Sequence, residues 1–236
     1  VRDRLLLGAV YGNGTDIDDD ISAFISNPME HAEASKIALF SIADYAWNMD
    51  AYKSDASWRR AVRYLMPGHA AALQVFASHN SDLGGNEHDF RREESEQIRP
   101  ALERLLDAYC REGKREVAAA SAVTEECERM IASADLLLAS DENPALIKEI
   151  SPWLIQFKLL GEYGREVLCM LAAQCDGKKT ELEKAASHAK ALQVLMKKID
   201  ATYNQNGFQP GVKTGSCHLK PAFDRLYQEV VQRTGK

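Results

Sequence analysis

The sequence predicts a mainly α protein, in which an antiparallel helical bundle follows the last strand and helices of an α/β layer. Beyond Arg91, apolar residues recur at alternating steps of three and four, the spacing of helices that pack lengthwise. Before it, residues 21–25 form a short apolar run that ends at Ser26 and Asn27 and leads into a helical pattern. We therefore predict one region over 1–90 and a helical bundle domain over 91–236.

Composition narrows the class of protein. The chain has 236 residues, of which 45% are hydrophobic and 27% charged, enough to bury a core in one or two domains. The formal charge is -6 and the basic residues are scattered, so no nucleic acid partner is expected. No apolar stretch reaches the ~18 residues of a membrane span, so no membrane partner is expected either.

The beginning of the sequence predicts a piece of a longer protein. Val1 stands without an initiator methionine and opens in the middle of an apolar pattern. Residues 1–14 also lack the charged and apolar layout of a signal peptide. The Gly12-Asn13-Gly14 stretch after them predicts a turn, because glycine reaches positive φ without steric cost.

Neither the cysteines nor the acidic loop has the spacing of a metal site. The five cysteines are odd in number, widely spaced and set mostly in helical patterns, which favours buried thiols over a disulfide framework or a metal site. Asp16, Asp18 and Asp20 invite a calcium-loop interpretation, but its required glycine would fall on Ile21 and its glutamate on Asn27. A solvated acidic loop is the better interpretation.

The run 21–25 is typical of a strand buried on both faces, and Asn27 and Pro28 would start the helix that follows. Residues 29–47 are apolar nearly all the way round, which predicts a helix packed on more than one side. Because α/β barrels place functional side chains at the carboxyl ends of their strands, Asn27 is also a candidate binding residue.

Three further predictions concern residues 30–90. Glu30 and His31 would have structural roles in the first turn of the helix, with Glu30 favoured by the helix dipole. The two tryptophans of this region, Trp47 and Trp58, are expected in the core. Helices are predicted from Ser54 or Ser57 to Pro67 and from His69 to about Ser78, followed by a polar loop that contains His88. Long polar loops with paired glycines are often functional.

Four segments beyond residue 91 each carry a helical seam, which is a line of apolar or small residues along one face of a helix. Glycine in a helix costs ~1 kcal/mol relative to alanine, so Gly161 and Gly164 on one seam predict the close approach of a neighbouring backbone. A loop over 204–216 separates the fourth seam from a last helix. The seams consist of Ile98, Leu102, Leu105 and Tyr109; Ala120, Val123, Cys127, Ile131, Ala134 and Leu138; Leu154, Phe157, Gly161, Gly164, Leu168 and Leu171; and Leu182, Ala185, Ala189, Leu192, Met196, Ile199 and Tyr203.

Five stretches carry a resemblance to a known family. They are, in chain order, SNPMEHAEASKIALFSIADYAWN, HNSDLG, RREES, QFKLLGE and NQNGFQPGVKTG. Together they closely resemble bacterial members of glycoside hydrolase family 84. These are β-N-acetylglucosaminidases that include homologues of O-GlcNAcase, and some carry hyaluronidase names. The resemblance implies that residues 1–90 are the C-terminal remnant of a catalytic (β/α)8 barrel, which would make the fold a truncated barrel followed by most of a bundle.

The resemblance also implies a mechanism. Family members are retaining enzymes in which the 2-acetamido oxygen of the substrate attacks and forms an oxazoline. Two adjacent aspartates orient the acetamide and serve as general acid and then general base. The family carries this pair on an earlier strand, and a further asparagine and aspartate that grip the sugar just before Val1. No catalytic residue, cofactor or metal is therefore expected within this chain, and the acidic loop at 18–20 is not the catalytic pair.

Two residues match substrate-binding positions of the family. Asn27 matches an asparagine that hydrogen-bonds sugar hydroxyls, and His88 matches a position in the wall of the active site, although an ordinary loop histidine fits it equally well. The implied partner of the parent enzyme is a glycan or glycoprotein that contains N-acetylglucosamine (GlcNAc). The implied location is secreted or periplasmic.

A non-enzymatic interpretation stays open beside this one. The chain would then be a helical module for partner recognition, dimerisation or barrel support. Because an incomplete barrel exposes apolar surface around 21–25, self-association into a homo-oligomer is also open.

Overall fold

The computed structural model describes residues 3–17, 19, 21–81 and 92–234. These residues form eight helices and no strand, so the mainly α prediction is confirmed. The helices are α1 Ala32–Trp47, α2 Ser54–Leu65, α3 Ala70–Ser78, α4 Arg99–Glu112, α5 Val117–Leu138, α6 Pro144–Cys175, α7 Lys179–Thr202 and α8 Leu219–Thr234.

The strand predicted over 21–25 does not form within the described part of the chain. Its residues are exposed, and Ile25 keeps 93% of its surface accessible. A strand exists only through hydrogen bonds to a neighbouring strand, and the described residues provide no such neighbour. The prediction of burial on both faces is therefore wrong for this structure.

The 32-residue helix α6 is the centre of the bundle and packs against α1, α5, α7 and α8. Its seam residues Leu154 and Phe157 are fully buried. A Cβ added at Gly161 would lie 2.9 Å from the Cys127 carbonyl oxygen of α5, which confirms the predicted close approach of a backbone. At Gly164 the Cβ would instead meet side chains, lying 2.5 Å from the Phe223 ring.

Helix α1 starts later than predicted. Its N-cap is His31, so the prediction of Asn27 as the cap and of Pro28 as the first helical residue is wrong. The Ala34 N–H donates to Glu149 Oε1 of α6 at 2.7 Å, so a carboxylate distant in sequence replaces a local cap. Glu30 accordingly lies before the helix, and Glu33 is the acidic residue of its first turn.

The packing of α1 agrees with the prediction in part. The helix packs against both α2 and α6, as its nearly all-round apolar pattern predicts, and its fully buried residues are Ala34, Ser35, Ile37, Ser41 and Tyr45. Trp47 is 89% exposed, so its predicted place in the core is wrong, whereas Trp58 of α2 is 6% exposed and its prediction is confirmed.

The bounds of α2 and α3 agree with the prediction to within a residue or two. The acidic loop is solvated where it is described, since Asp16 and Asp19 are exposed. All five cysteines are free, but only Cys127 is fully buried, whereas Cys169 and Cys175 are exposed. The prediction of buried thiols is wrong for these two, because they lie on the outward side of α6.

Candidate functional site

The segment before α1 is held by side chains of the helices. Leu5, Leu7 and Ala9 are buried although they form no regular secondary structure. The Trp153 indole N–H donates to the Asp3 carbonyl oxygen at 3.0 Å, and the Trp58 indole N–H donates to that of Leu7 at 2.7 Å. Indole groups therefore satisfy buried carbonyls that a neighbouring strand would satisfy in a sheet.

Asn27 lies at the edge of a cavity of about 370 Å³ between this segment and α1. Its side chain is exposed and forms no hydrogen bond to any other described residue. The backbone beside it is fixed, since the Ser35 hydroxyl donates to the Met29 carbonyl at 3.2 Å and the Leu6 N–H lies 3.0 Å from Met29 Sδ. The site thus presents a free amide, with two donors and an acceptor, on an anchored chain.

His31, in the wall of the same cavity, has a packing role. Its ring contacts the Trp153 ring edge to face, with centroids 4.9 Å apart, and Glu30 Oε1 lies 3.9 Å from its Nε2. This contact agrees with the structural role predicted for His31. His88, the second predicted site residue, lies outside the described residues, and its role stays a prediction.

A second cluster of polar groups lies inside the molecule. His79 Nδ1 is 2.8 Å from the Ser95 hydroxyl, and His79 Nε2 is 2.7 Å from Glu126 Oε1. The order serine, histidine, carboxylate is that of an acyl-transfer triad. Ser95 also has a φ of 59°, in the left-handed region. Geometry alone would therefore make this cluster a nucleophilic site.

Burial decides against that interpretation. His79 and Ser95 are each 2% exposed, and the cavity beside them has about 40 Å³, far below the roughly 300–1,000 Å³ of ligand sites. Burial by itself would raise the pKa of Glu126, but the His79 hydrogen bond and the Arg129 charge bring that pKa below its ordinary value. The cluster is a buried clamp between α3, the Ser95 turn and α5.

Glu94 forms a neighbouring clamp and is 1% exposed. Its carboxylate accepts the backbone N–H groups of Ser216, Cys217 and His218, at 3.2, 2.9 and 3.3 Å, just before α8. Burial raises the pKa of Glu94 to about 7, although these hydrogen bonds act in the opposite direction. Sequence reasoning missed both clamps, because their members lie far apart in the chain. Only His79, Glu94 and Ser95 fall within the stretches that resemble the family.

No metal centre or membrane span is found in the part of the chain that the structure describes. No three or more histidine, cysteine or acidic side chains come together there as ligands for an ion. None of the described helices combines the length and apolar composition needed to cross a membrane.

Comparison with known proteins identifies the class to which this fold and cavity belong. Residues 94–227 match the family model described as the bacterial GH84 post-catalytic domain, and residues 1–78 match the model for β-N-acetylglucosaminidase. The class is that of glycoside hydrolases with a helical domain after the catalytic one. The chain belongs to bacterial glycoside hydrolase family 84, as its sequence predicts.

Three solved structures share the fold. CpGH84B superposes with a TM-score of 0.83 at 22% identity, covering 95% of this chain and 37% of its own. CpGH84D superposes with a TM-score of 0.82 at 26% identity, and the match covers 98% of this chain and 38% of CpGH84D. A mutant of the O-GlcNAc hydrolase of Thermobaculum terrenum superposes with a TM-score of 0.72 at 19% identity. This match covers 99% of this chain and 48% of the hydrolase chain. The chain therefore spans less than half the length of each, and the domain boundary at 90/91 stays a prediction.

Proposed function

We propose that this chain is part of a retaining, substrate-assisted β-N-acetylglucosaminidase whose parent protein hydrolyses terminal β-linked GlcNAc. The proposal rests on the position of the Asn27 side chain. Its unpaired amide faces solvent at a cavity of about 370 Å³, within the region that matches the β-N-acetylglucosaminidase model. In this proposal Asn27 binds sugar hydroxyls, and His88 contributes to the wall of the same site.

The contribution of this chain to the reaction is binding. A sugar hydroxyl both donates and accepts, so an amide can bond to it with its N–H₂ and its carbonyl together. The acetamido oxygen of the substrate is the nucleophile, and the aspartate pair that orients it and transfers protons belongs to the parent outside residues 1–236. The chain alone is accordingly inactive, and the parent is proposed to be secreted or periplasmic.

The second candidate function is a helical module that supports the sugar-binding segment. Two contacts from the helical part to that segment and to α1 favour it. Helix α6 holds the first described residue through the Trp153 bond to Asp3. It also caps α1 through Glu149, whose carboxylate accepts the Ala34 N–H. The first contact holds the start of the described segment and the second holds the helix that follows Asn27, so support and sugar binding are compatible roles.

An assay with an aryl β-N-acetylglucosaminide tests the inactivity of the chain. We expect the purified chain to release no chromophore above the buffer rate. The full-length parent, assayed at the same molar concentration, serves as the positive control. Robust turnover by the chain alone would overturn the proposed location of the aspartate pair.

The substitution Asn27→Ala in the full-length parent tests the binding role. Loss of a hydrogen bond that strengthens in the transition state costs about 1–3 kcal/mol, so kcat/KM should fall by roughly 5- to 150-fold. Asn48→Ala is the matched control, because Asn48 is an exposed asparagine at the other end of α1 and does not line the cavity. A kcat/KM equal to wild type for Asn27→Ala would remove Asn27 from the sugar site.

A further inference from the structure

A second polar cleft lies between α7 and α8, far along the chain from the Asn27 cavity. Both helices pack on α6 but leave an opening of about 500 Å³ between them. Gln156 of α6 and Thr214 of the loop before α8 are among its lining residues. They belong to the QFKLLGE and NQNGFQPGVKTG stretches, neither of which contributes to the Asn27 cavity.

Both residues carry a polar atom without a partner. Gln156 is 6% exposed and Thr214 is 4% exposed, and neither Gln156 Oε1 nor Thr214 Oγ1 has a hydrogen-bond partner among the described residues. The amide of Gln156 is oriented, since its Nε2 donates to the Met196 carbonyl at 3.3 Å. An unpaired buried polar atom is destabilising, so two in one cleft indicate groups that a bound molecule would satisfy.

The chemistry of these atoms selects the class of ligand. A glutamine carbonyl oxygen only accepts, so the group opposite it must donate, which excludes a carboxylate or phosphate at that point. The threonine hydroxyl can donate or accept. A ligand hydroxyl can pair with either the glutamine oxygen or the threonine hydroxyl, because a hydroxyl both donates and accepts hydrogen bonds.

The walls of the cleft favour a ligand without net charge. Gln193 Nε2 donates to the Tyr163 hydroxyl at 2.7 Å, which donates to Asp224 Oδ1 at 3.0 Å. Asp224 is in turn paired with Lys220, and Lys213 is paired with Asp3 at 2.6 Å. The other two charged residues of the lining, Lys197 and Asp200, have opposite signs, so little net attraction is left for an ion.

We propose that this cleft binds a neutral saccharide unit, with hydroxyl groups bonded to Gln156 Oε1 and Thr214 Oγ1. The volume of about 500 Å³ lies within the range of ligand sites and is sufficient for a sugar ring. The cleft would give the helical part a carbohydrate contact of its own, separate from the site at Asn27. This proposal does not depend on catalysis by the parent.

Titration of the ¹⁵N-labelled chain with glucose and with GlcNAc, followed by NMR, tests the proposal. We expect millimolar affinity, with shifts at the Gln156 side-chain amide and at the backbone of Thr214 and Ser216. Gln156→Leu and Thr214→Val should each weaken binding at least tenfold. Ser187→Ala is the matched control, because Ser187 is exposed on α7 and does not line the cleft. Thermal melting establishes that each variant is folded. If only one of the two cleft variants folds, that variant alone is sufficient to test the proposal.

The same titration with Asn27→Ala separates the two proposals. Shifts that persist in Asn27→Ala and disappear in the cleft variants support the cleft. Shifts that disappear only in Asn27→Ala would place the sugar at the first cavity and overturn the cleft proposal. It would also be overturned if no shifts occurred at about 50 mM sugar, where a millimolar site is saturated, or if glucuronate bound more tightly than glucose.

Discussion

Residues 21–47 and the bundle of α4 to α8 contain similar apolar side chains but place them differently. Ile25 is 93% exposed and Trp47 is 89% exposed, whereas Leu154 and Phe157 of α6 are fully buried. A helix satisfies its own backbone hydrogen bonds and needs only the apolar faces of its neighbours to form a core. A strand needs neighbouring strands as well. The bundle therefore completes its core with the described residues, and the 21–47 region does not.

The two regions also differ in what fixes them. The bundle is fixed by seams that run along its own helices. The segment before α1 is fixed by single contacts that reach it from other elements, such as the Trp153 and Trp58 indoles. The segment before α1 therefore depends on contacts from outside itself, one of which comes from the bundle through Trp153.

Phe157→Ala should produce the largest effect. Phe157 is fully buried and packs its ring edge to face on Phe76 at a centroid distance of 5.3 Å, with His79 at 5.5 Å. Removing a buried phenylalanine ring costs about 3–5 kcal/mol. Urea unfolding followed by circular dichroism measures this loss, and Phe208→Ala at an 84% exposed site is the control. A loss below 1 kcal/mol would contradict a continuous core through α6.

Glu94→Gln should change how stability depends on pH. The ordinary pKa of 4.5 rises to about 7 in the folded chain, so the folded state holds a proton between these values that the unfolded state releases. The free energy of unfolding should therefore fall, by about 3 kcal/mol for this group, as the pH rises from 4.5 to 7. Urea titrations at pH 5 and 8 should show a smaller decrease for Glu94→Gln than for wild type. Equal decreases would mean that Glu94 titrates normally.

Ile25→Ala should have the smallest effect. Because Ile25 is almost fully exposed in this structure, the free energy of unfolding of the chain should change by less than ~0.5 kcal/mol. If residues 21–25 form the predicted barrel strand in the full-length parent, the same substitution should cost about 2–5 kcal/mol there. Thermal melting of both proteins with and without the substitution measures the contrast. Equal small effects would argue against a strand there in the parent.

The seams beyond residue 91 could be predicted because helical periodicity is local. The steps of three and four place Ile98, Leu102 and Leu105 on one face whatever the partner is, and all three are buried. Asn27 could be singled out as a candidate from its place after an apolar run, but its predicted capping role was wrong. The start of α1 is instead capped by Glu149, which lies 115 positions from Ala34, the residue whose N–H it accepts.

The sequence by itself determined the helical class, the close approach at Gly161 and the stretches that identify the family, since each depends on residues within a few turns of one another. Tertiary structure decided which apolar residues are buried around 21–47. It also brought His79, Ser95 and Glu126 together and left Gln156 and Thr214 unpaired in one cleft. These features depend on contacts between distant segments, and local periodicity carries no information about which segments meet.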